Sequence, residues 1–271
     1  MKLAWLISGL YKNSTGPILK LAEWLRAQPE FEQVDIYMYI WWDTSYVGKR
    51  YSVRQLGVVE EDPTHDIVTK IKPVKWRLVK QAQFDLSGLP FLCEAACPND
   101  VREAMFFTHF SQFTAMRECL NLIENLDEYD AILRMRGDLC LHDLQFSTNF
   151  TKEAIQTNKI WVADGKFFTG WPYGDWAFFG NTNVMKHYIR NAETIFRQLC
   201  ISLKCLPHLH RLIEYTFLTL NIGLERWFVP LRITRCCQEH THHLLTDTSS
   251  NDINEQPYFF SMLDKERLAI P

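Results

Sequence analysis

With 271 residues, 47% of them hydrophobic and 23% charged, the chain can bury a large core in one domain and is too apolar to be disordered. Its formal charge of -3, with no basic tail or stripe, argues against a nucleic-acid partner, although local arginines can still hold a small anion. No apolar run reaches the roughly 18–20 residues that a membrane helix needs, and the scattered cysteines suit reduced thiols in a cytoplasmic protein better than a disulfide framework.

The first apolar run, Leu3-Ala4-Trp5-Leu6-Ile7, predicts a buried strand rather than a signal peptide. It is short and passes into Ser8-Gly9-Leu10-Tyr11-Lys12-Asn13 with no small-residue cleavage site. Residues 9–16 read as a polar turn. Pro17 suits the first turn of a helix running to about residue 28, with Leu19, Ala22 and Leu25 on its apolar face. Residues 34–41 are β-branched and aromatic and predict a second strand, with Asp43 just past its carboxyl end.

Over residues 48–100 the pattern weakens. Short extended stretches such as 55–60 and 75–79 alternate with Pro63, Pro73, Pro90 and Pro98, which predicts a loop-rich insertion. A helical period returns over 109–124 through Phe113, Met116, Leu120 and Ile123, with Gln112, Arg117 and Glu124 assigned to the polar face. Tyr129-Asp130-Ala131-Ile132-Leu133 then leads into Arg134-Met135-Arg136-Gly137-Asp138-Leu139. Short strands are expected at 159–163 and 176–179, helices at 182–201 and 208–219, and strand character at 224–233. Residues 1–245 thus read as a single domain, and 246–271 as a polar segment and tail.

Strand–helix–strand at the start and helix–strand in the middle predict an α/β fold with a mainly parallel central sheet and helices on both faces. Ligands of such sheets bind outside the carboxyl ends of the strands. Ser8, Gly9, Asp43, Arg136, Asp138 and Asp164 would gather on that rim. Arg134 and Arg136 share one face of their strand, with Asp138 next. Two guanidinium groups can hold phosphate oxygens bidentately, and a carboxylate can hold a divalent cation that touches the same phosphates. The competing reading is a salt-bridge lattice in which Arg134 pairs with a carboxylate and Asp138 caps a turn.

Other residues carry weaker signals. Asp43 can accept hydrogen bonds from a base or ribose, or end its strand as a turn residue. Ser8-Gly9 permits close backbone approach without matching a dinucleotide or P-loop motif. Asp175, in Tyr173-Gly174-Asp175-Trp176-Ala177-Phe178-Phe179-Gly180, can serve as a general base or hold an acceptor, and Glu214 is a second candidate acid. Trp171, Tyr173 and Trp176 can form a sugar-stacking wall or belong to the core. Cys236-Cys237 with His240, His242 and His243, like Cys93 with Cys97, lacks the spacing of a zinc site.

Taken in order, these pieces resemble a family of viral and bacterial glycosyltransferase-like proteins that includes the WavE-type proteins of lipopolysaccharide synthesis. The matching pieces are Leu6-Ile7-Ser8-Gly9, the 37–43 run ending in Asp43, the block from Glu128 to Leu139, Gly174–Gly180 followed by Met185, and the Glu214 helix. The resemblance implies a single-domain, Rossmann-like GT-A-type fold that transfers a sugar from a nucleoside-diphosphate donor to a hydroxyl of a glycan acceptor in polysaccharide biosynthesis. It implies donor contacts at Ser8, Gly9, Asp43, Arg134 and Arg136, metal coordination and catalysis at Asp138, and an acceptor or base role for Asp175. Mn²⁺ or Mg²⁺ is the implied cofactor. Where that class carries Asp-x-Asp, this chain has Arg136-Gly137-Asp138, so one carboxylate would need phosphate and water to complete the shell. A catalytically inactive glycan- or nucleotide-binding module of the same fold is the alternative. A metal-dependent phosphoesterase ranks last, because it would want several convergent acids and histidines.

Overall fold

A computed structural model describes residues 1–11, 15–41, 62–79, 99–137, 139–141, 155–163, 175–203, 209–227 and 231–233. In chain order these form β1 (Lys2–Leu10), α1 (Thr15–Arg26), β2 (Gln33–Trp41), the short α2 (Thr64–Asp66) with a π-helical turn over Ile67–Ile71, β3 (Lys75–Val79) and α3 (Asn99–Leu120). There follow β4 (Ala131–Arg136), β5 (Leu139–Leu141), β6 (Lys159–Ala163), β7 (Ala177–Asn181), α4 (Thr182–Leu203), α5 (Leu209–Thr219), β8 (Gly223–Trp227) and β9 (Leu231–Ile233).

Seven strands make the central sheet, in the order β3-β2-β1-β4-β7-β6-β8, while β5 and β9 pair as a small antiparallel ribbon. The strand pairs β1–β2, β2–β3, β1–β4 and β6–β8 are parallel, and β7 runs antiparallel to both β4 and β6. The sheet is therefore mixed but mostly parallel.

Near-continuous burial of β1 and β4 explains their unbroken apolar runs, since a strand covered on both faces has no solvent side to leave polar. Leu3, Trp5 and Ile7 face α1, packing with Ile18, Leu21 and Leu25. Ala4 and Leu6 face the other way, into a core built with Phe113, Met116, Tyr188, Phe196 and Phe217 from α3, α4 and α5. Helices thus cover both faces.

Several elements differ from expectation. Strand β1 continues through Leu10 because Gly9, at φ +112°, carries the backbone on beside Trp41 where a side chain would be strained. Residues 75–79, read as part of an insertion, pair with Tyr37–Trp41 and supply an edge strand of the main sheet. Helix α3 starts at Asn99, ahead of the expected 109. The 224–233 run divides between the two sheets as β8 and β9. Helix α4 starts immediately after β7 because the Asn181 side chain accepts the Val184 amide at 2.9 Å, an N-cap geometry.

Among the described residues, no helix is long and apolar enough to cross a membrane.

Candidate functional site

The strand order reverses between β1 and β4. From β1 the chain builds outward to β2 and β3, whereas β4 adds on the opposite side. Adjacent strands whose connections leave in opposite directions open a crevice at their carboxyl ends. The register puts Ser8 beside Arg136 and Leu6 beside Arg134, so the β1 and β4 candidates meet at that point. Because β7 is antiparallel, its first residues, rather than its last, lie on the same rim, and Asp175 joins the cluster.

Arg134 is completely buried on the α3–α4 face. Its Nε donates to Ser8 Oγ at 3.1 Å and its Nη1 to the main-chain oxygen of Asp175 at 2.7 Å. Its guanidinium carbon lies 5.6 Å from the centre of the Phe178 ring, its cross-strand partner. Nη2 has no hydrogen-bond partner among the described residues. Burial pushes the guanidinium down to about 10, against which the charge of Asp175 pulls upward, so it stays ionised at neutral pH. Arg134 therefore braces the inner wall.

Arg136, whose side chain is 25% exposed, is the outer arginine. Its Nη1 donates to Asp175 Oδ2 at 3.0 Å, and its amide donates to Trp176 O at 3.0 Å. Asp175 itself is 5% exposed, and Gln112 from α3 donates to the same Oδ2 at 3.0 Å and to the Asp175 carbonyl at 3.3 Å. The competing reading paired Arg134 with a carboxylate, but the ion pair at this rim is Arg136–Asp175. Arg134 bonds to neutral oxygens.

Gln112, expected on the polar face of its helix, faces inward instead. It is buried, on a stripe with Met116 and Cys119. Spacings of four and seven from those apolar residues are the signal that marks a polar group aimed inward. Cys119 is fully buried on the same stripe, where burial pushes its thiol up to about 12 and makes it a poor nucleophile. Trp176 is buried within the core on the α1 face, so it offers no stacking wall. Glu214 is half-buried on α5. Asp43, Asp138, Asp164, Trp171 and Tyr173 lie outside the described residues, as do Cys93, Cys97 and the cysteine–histidine cluster.

No family model matches the chain, and no curated protein does.

Among the described residues, no group of three or more His, Cys, Asp or Glu side chains converges as a metal site. The carboxylate that the cluster does contain, Asp175, already accepts two donors on Oδ2 and stands between guanidinium groups. Among the described residues this donor set offers no divalent-cation site, and Asp138, the expected ligand, lies outside them. The two guanidinium groups of the cluster are of the kind that hold anions. A separate polar groove of about 600 Å³, beside Glu124, Asp127, Lys186 and Arg190, lies by the turn leading into β4 at the opposite end of the sheet.

Proposed function

We propose that this chain is a nucleotide-sugar-dependent glycosyltransferase with a GT-A-like fold, moving a sugar from a nucleoside diphosphate to a hydroxyl of a glycan acceptor. The observation that carries the reading is the meeting of Ser8, Gly9, Arg134 and Arg136 at the β1/β4 switch point, with Asp175 brought onto the same rim. In this reading the diphosphate approaches across Gly9, where the backbone is unshielded by a Cβ, and is held at Arg136. Negative charge grows on the departing diphosphate, and a pre-set guanidinium stabilises it without reorganising. Asp138, which lies outside the described residues, is assigned to the donor side on the sequence expectation alone. Asp175 serves Arg136 rather than the acceptor, because its carboxylate is engaged by Arg136 and Gln112.

That engagement also favours a second reading, a binding module of the same fold without turnover. Calorimetric titration with UDP-, GDP-, ADP- and dTDP-linked sugars, together with assay of released nucleotide with and without Mn²⁺, separates the two. The transferase reading expects binding, slow donor hydrolysis, and an affinity loss of about tenfold or more in Arg136→Ala, the cost of one charge-assisted contact. An effect of Mn²⁺ that disappears in Asp138→Ala would assign the cation to that residue. Tight binding without release of nucleotide, even when glycan acceptors are supplied, supports the module. Wild-type protein that binds none of these donors refutes both.

A further inference from the structure

We infer that Gln112 is the positioning residue of this site, holding the Asp175 carboxylate so that Arg136 is presented in one orientation to a phosphate-bearing ligand. The inference rests on the anion-binding part of the reading above and does not require sugar transfer.

Gln112 reaches Asp175 from a different element, α3, across 63 residues of sequence. One amide nitrogen grips both the carboxylate oxygen and the main-chain oxygen of Asp175. Rotation of the carboxylate would break the bond to Oδ2, and displacement of the chain before β7 would break both. Arg136 Nη1 shares that Oδ2, so fixing the carboxylate fixes one edge of the guanidinium plane. A planar fork gives its bidentate bonds only in the right plane, so an arginine that must hold phosphate gains from such a tether. Burial of Gln112 at 9% exposure makes this expensive to keep without a use, since its amide occupies a position where an apolar side chain would pack.

Neutrality matters as much as geometry. An amide donates to the carboxylate without altering the charge balance around Arg136. Among the described residues, the ionisable groups that face Asp175 include Arg136 and Arg134 from β4 and Tyr188 from α4. A glutamate at position 112 would put a second carboxyl in contact with the first. Protonated, it donates to Asp175 as the amide does; ionised, it repels Asp175 and adds a negative charge beside the ligand's binding edge.

The test uses inorganic pyrophosphate as the probe and full-length Gln112→Leu and Gln112→Glu variants, with circular dichroism to confirm folding. Gln112→Leu is expected to raise the pyrophosphate Kd about tenfold, as loss of a tether to a charged group would. For Gln112→Glu, the ratio of its Kd to that of wild type is expected to stay near one at low pH and to climb between about pH 5 and 8. Taking the ratio cancels the titration of pyrophosphate itself. Should Gln112→Leu fail to fold, the near-isosteric glutamate variant carries the test alone. A ratio that remains near one at every pH overturns the inference, as does wild-type protein that binds no pyrophosphate. Variant-sensitive pyrophosphate binding in a protein that binds no nucleotide sugar would instead overturn the transferase reading and leave the role of Gln112 standing.

Discussion

Ser8 carries the smallest hydrogen-bonding side chain of the buried cluster and is the easiest to probe. Its hydroxyl accepts from Arg134 Nε, a donor sealed from solvent. Ser8→Ala should cost about 1–3 kcal/mol by leaving that N–H unsatisfied, measured by urea denaturation. Tyr188 is the contrasting case. It is fully buried, stacked 4.8 Å from Phe217, and its hydroxyl has no partner among the described residues. Tyr188→Phe should be neutral or stabilising by up to about 1 kcal/mol in the same measurement, because it removes a burden rather than a bond. Cys119 sets a pH limit. Burial raises its thiol from 9.0 to about 12, so the unfolded chain loses this proton first and stability falls as pH rises from about 9 toward 12. Arg134 acts with the opposite sign only above about 10, where the folded state sheds its proton before the unfolded one. Urea midpoints between pH 8 and 10 should therefore decline in wild type and decline less in Cys119→Ala.

At the scale of elements, the ends of β1 and β4 approach one another closely because of Gly137. A Cβ built there would sit 3.0 Å from the Leu10 carbonyl, a contact with backbone that cannot rotate away. Gly137→Ala should push the end of β4 off β1, costing about 1–3 kcal/mol by overpacking and weakening anion binding at Arg136 together. Loss of stability with unchanged affinity would show that the strand ends are independent of the site. The close approach was invisible in the sequence, where nothing about Gly137 names Leu10 as its neighbour. By contrast, the pairing of Arg134 and Arg136 on one face follows from strand periodicity alone, and the strand at 159–163 was legible to the residue. Residues 75–79 were extended in the sequence reading, but an edge strand shows its membership of a sheet only through pairing with a distant partner.

Across the whole molecule, the sheet closes over long separations. Strand β1 pairs with β2 through one short helix, yet its other neighbour, β4, begins at Ala131. Predominantly parallel pairing and helices on both faces could be anticipated, because apolar runs of strand length alternated with helical periods. The reversed direction of β7 could not, since its apolar run looks like those of the strands that pair in parallel. That reversal is what brings the residue preceding a strand beside residues that end strands. Gln112 escaped for the same reason: its partner, Asp175, is a neighbour only in the closed sheet.

The hydrogen bond from the Arg136 amide to Trp176 O gives this closure a clock. That one proton can exchange with deuterated water only when β4 and the chain entering β7 come apart, an event that also releases the grip of Arg136 on Asp175. Its exchange rate thus times how often the rim dismantles itself, in a protein with nothing bound. A ligand seated across both strands must slow it by the factor 1 + [L]/Kd, about 100 when free ligand is present at about 100 times its Kd. Following this single amide by NMR while pyrophosphate is added would report binding from inside the wall. An unchanged rate at saturation would mean that the anion sits elsewhere.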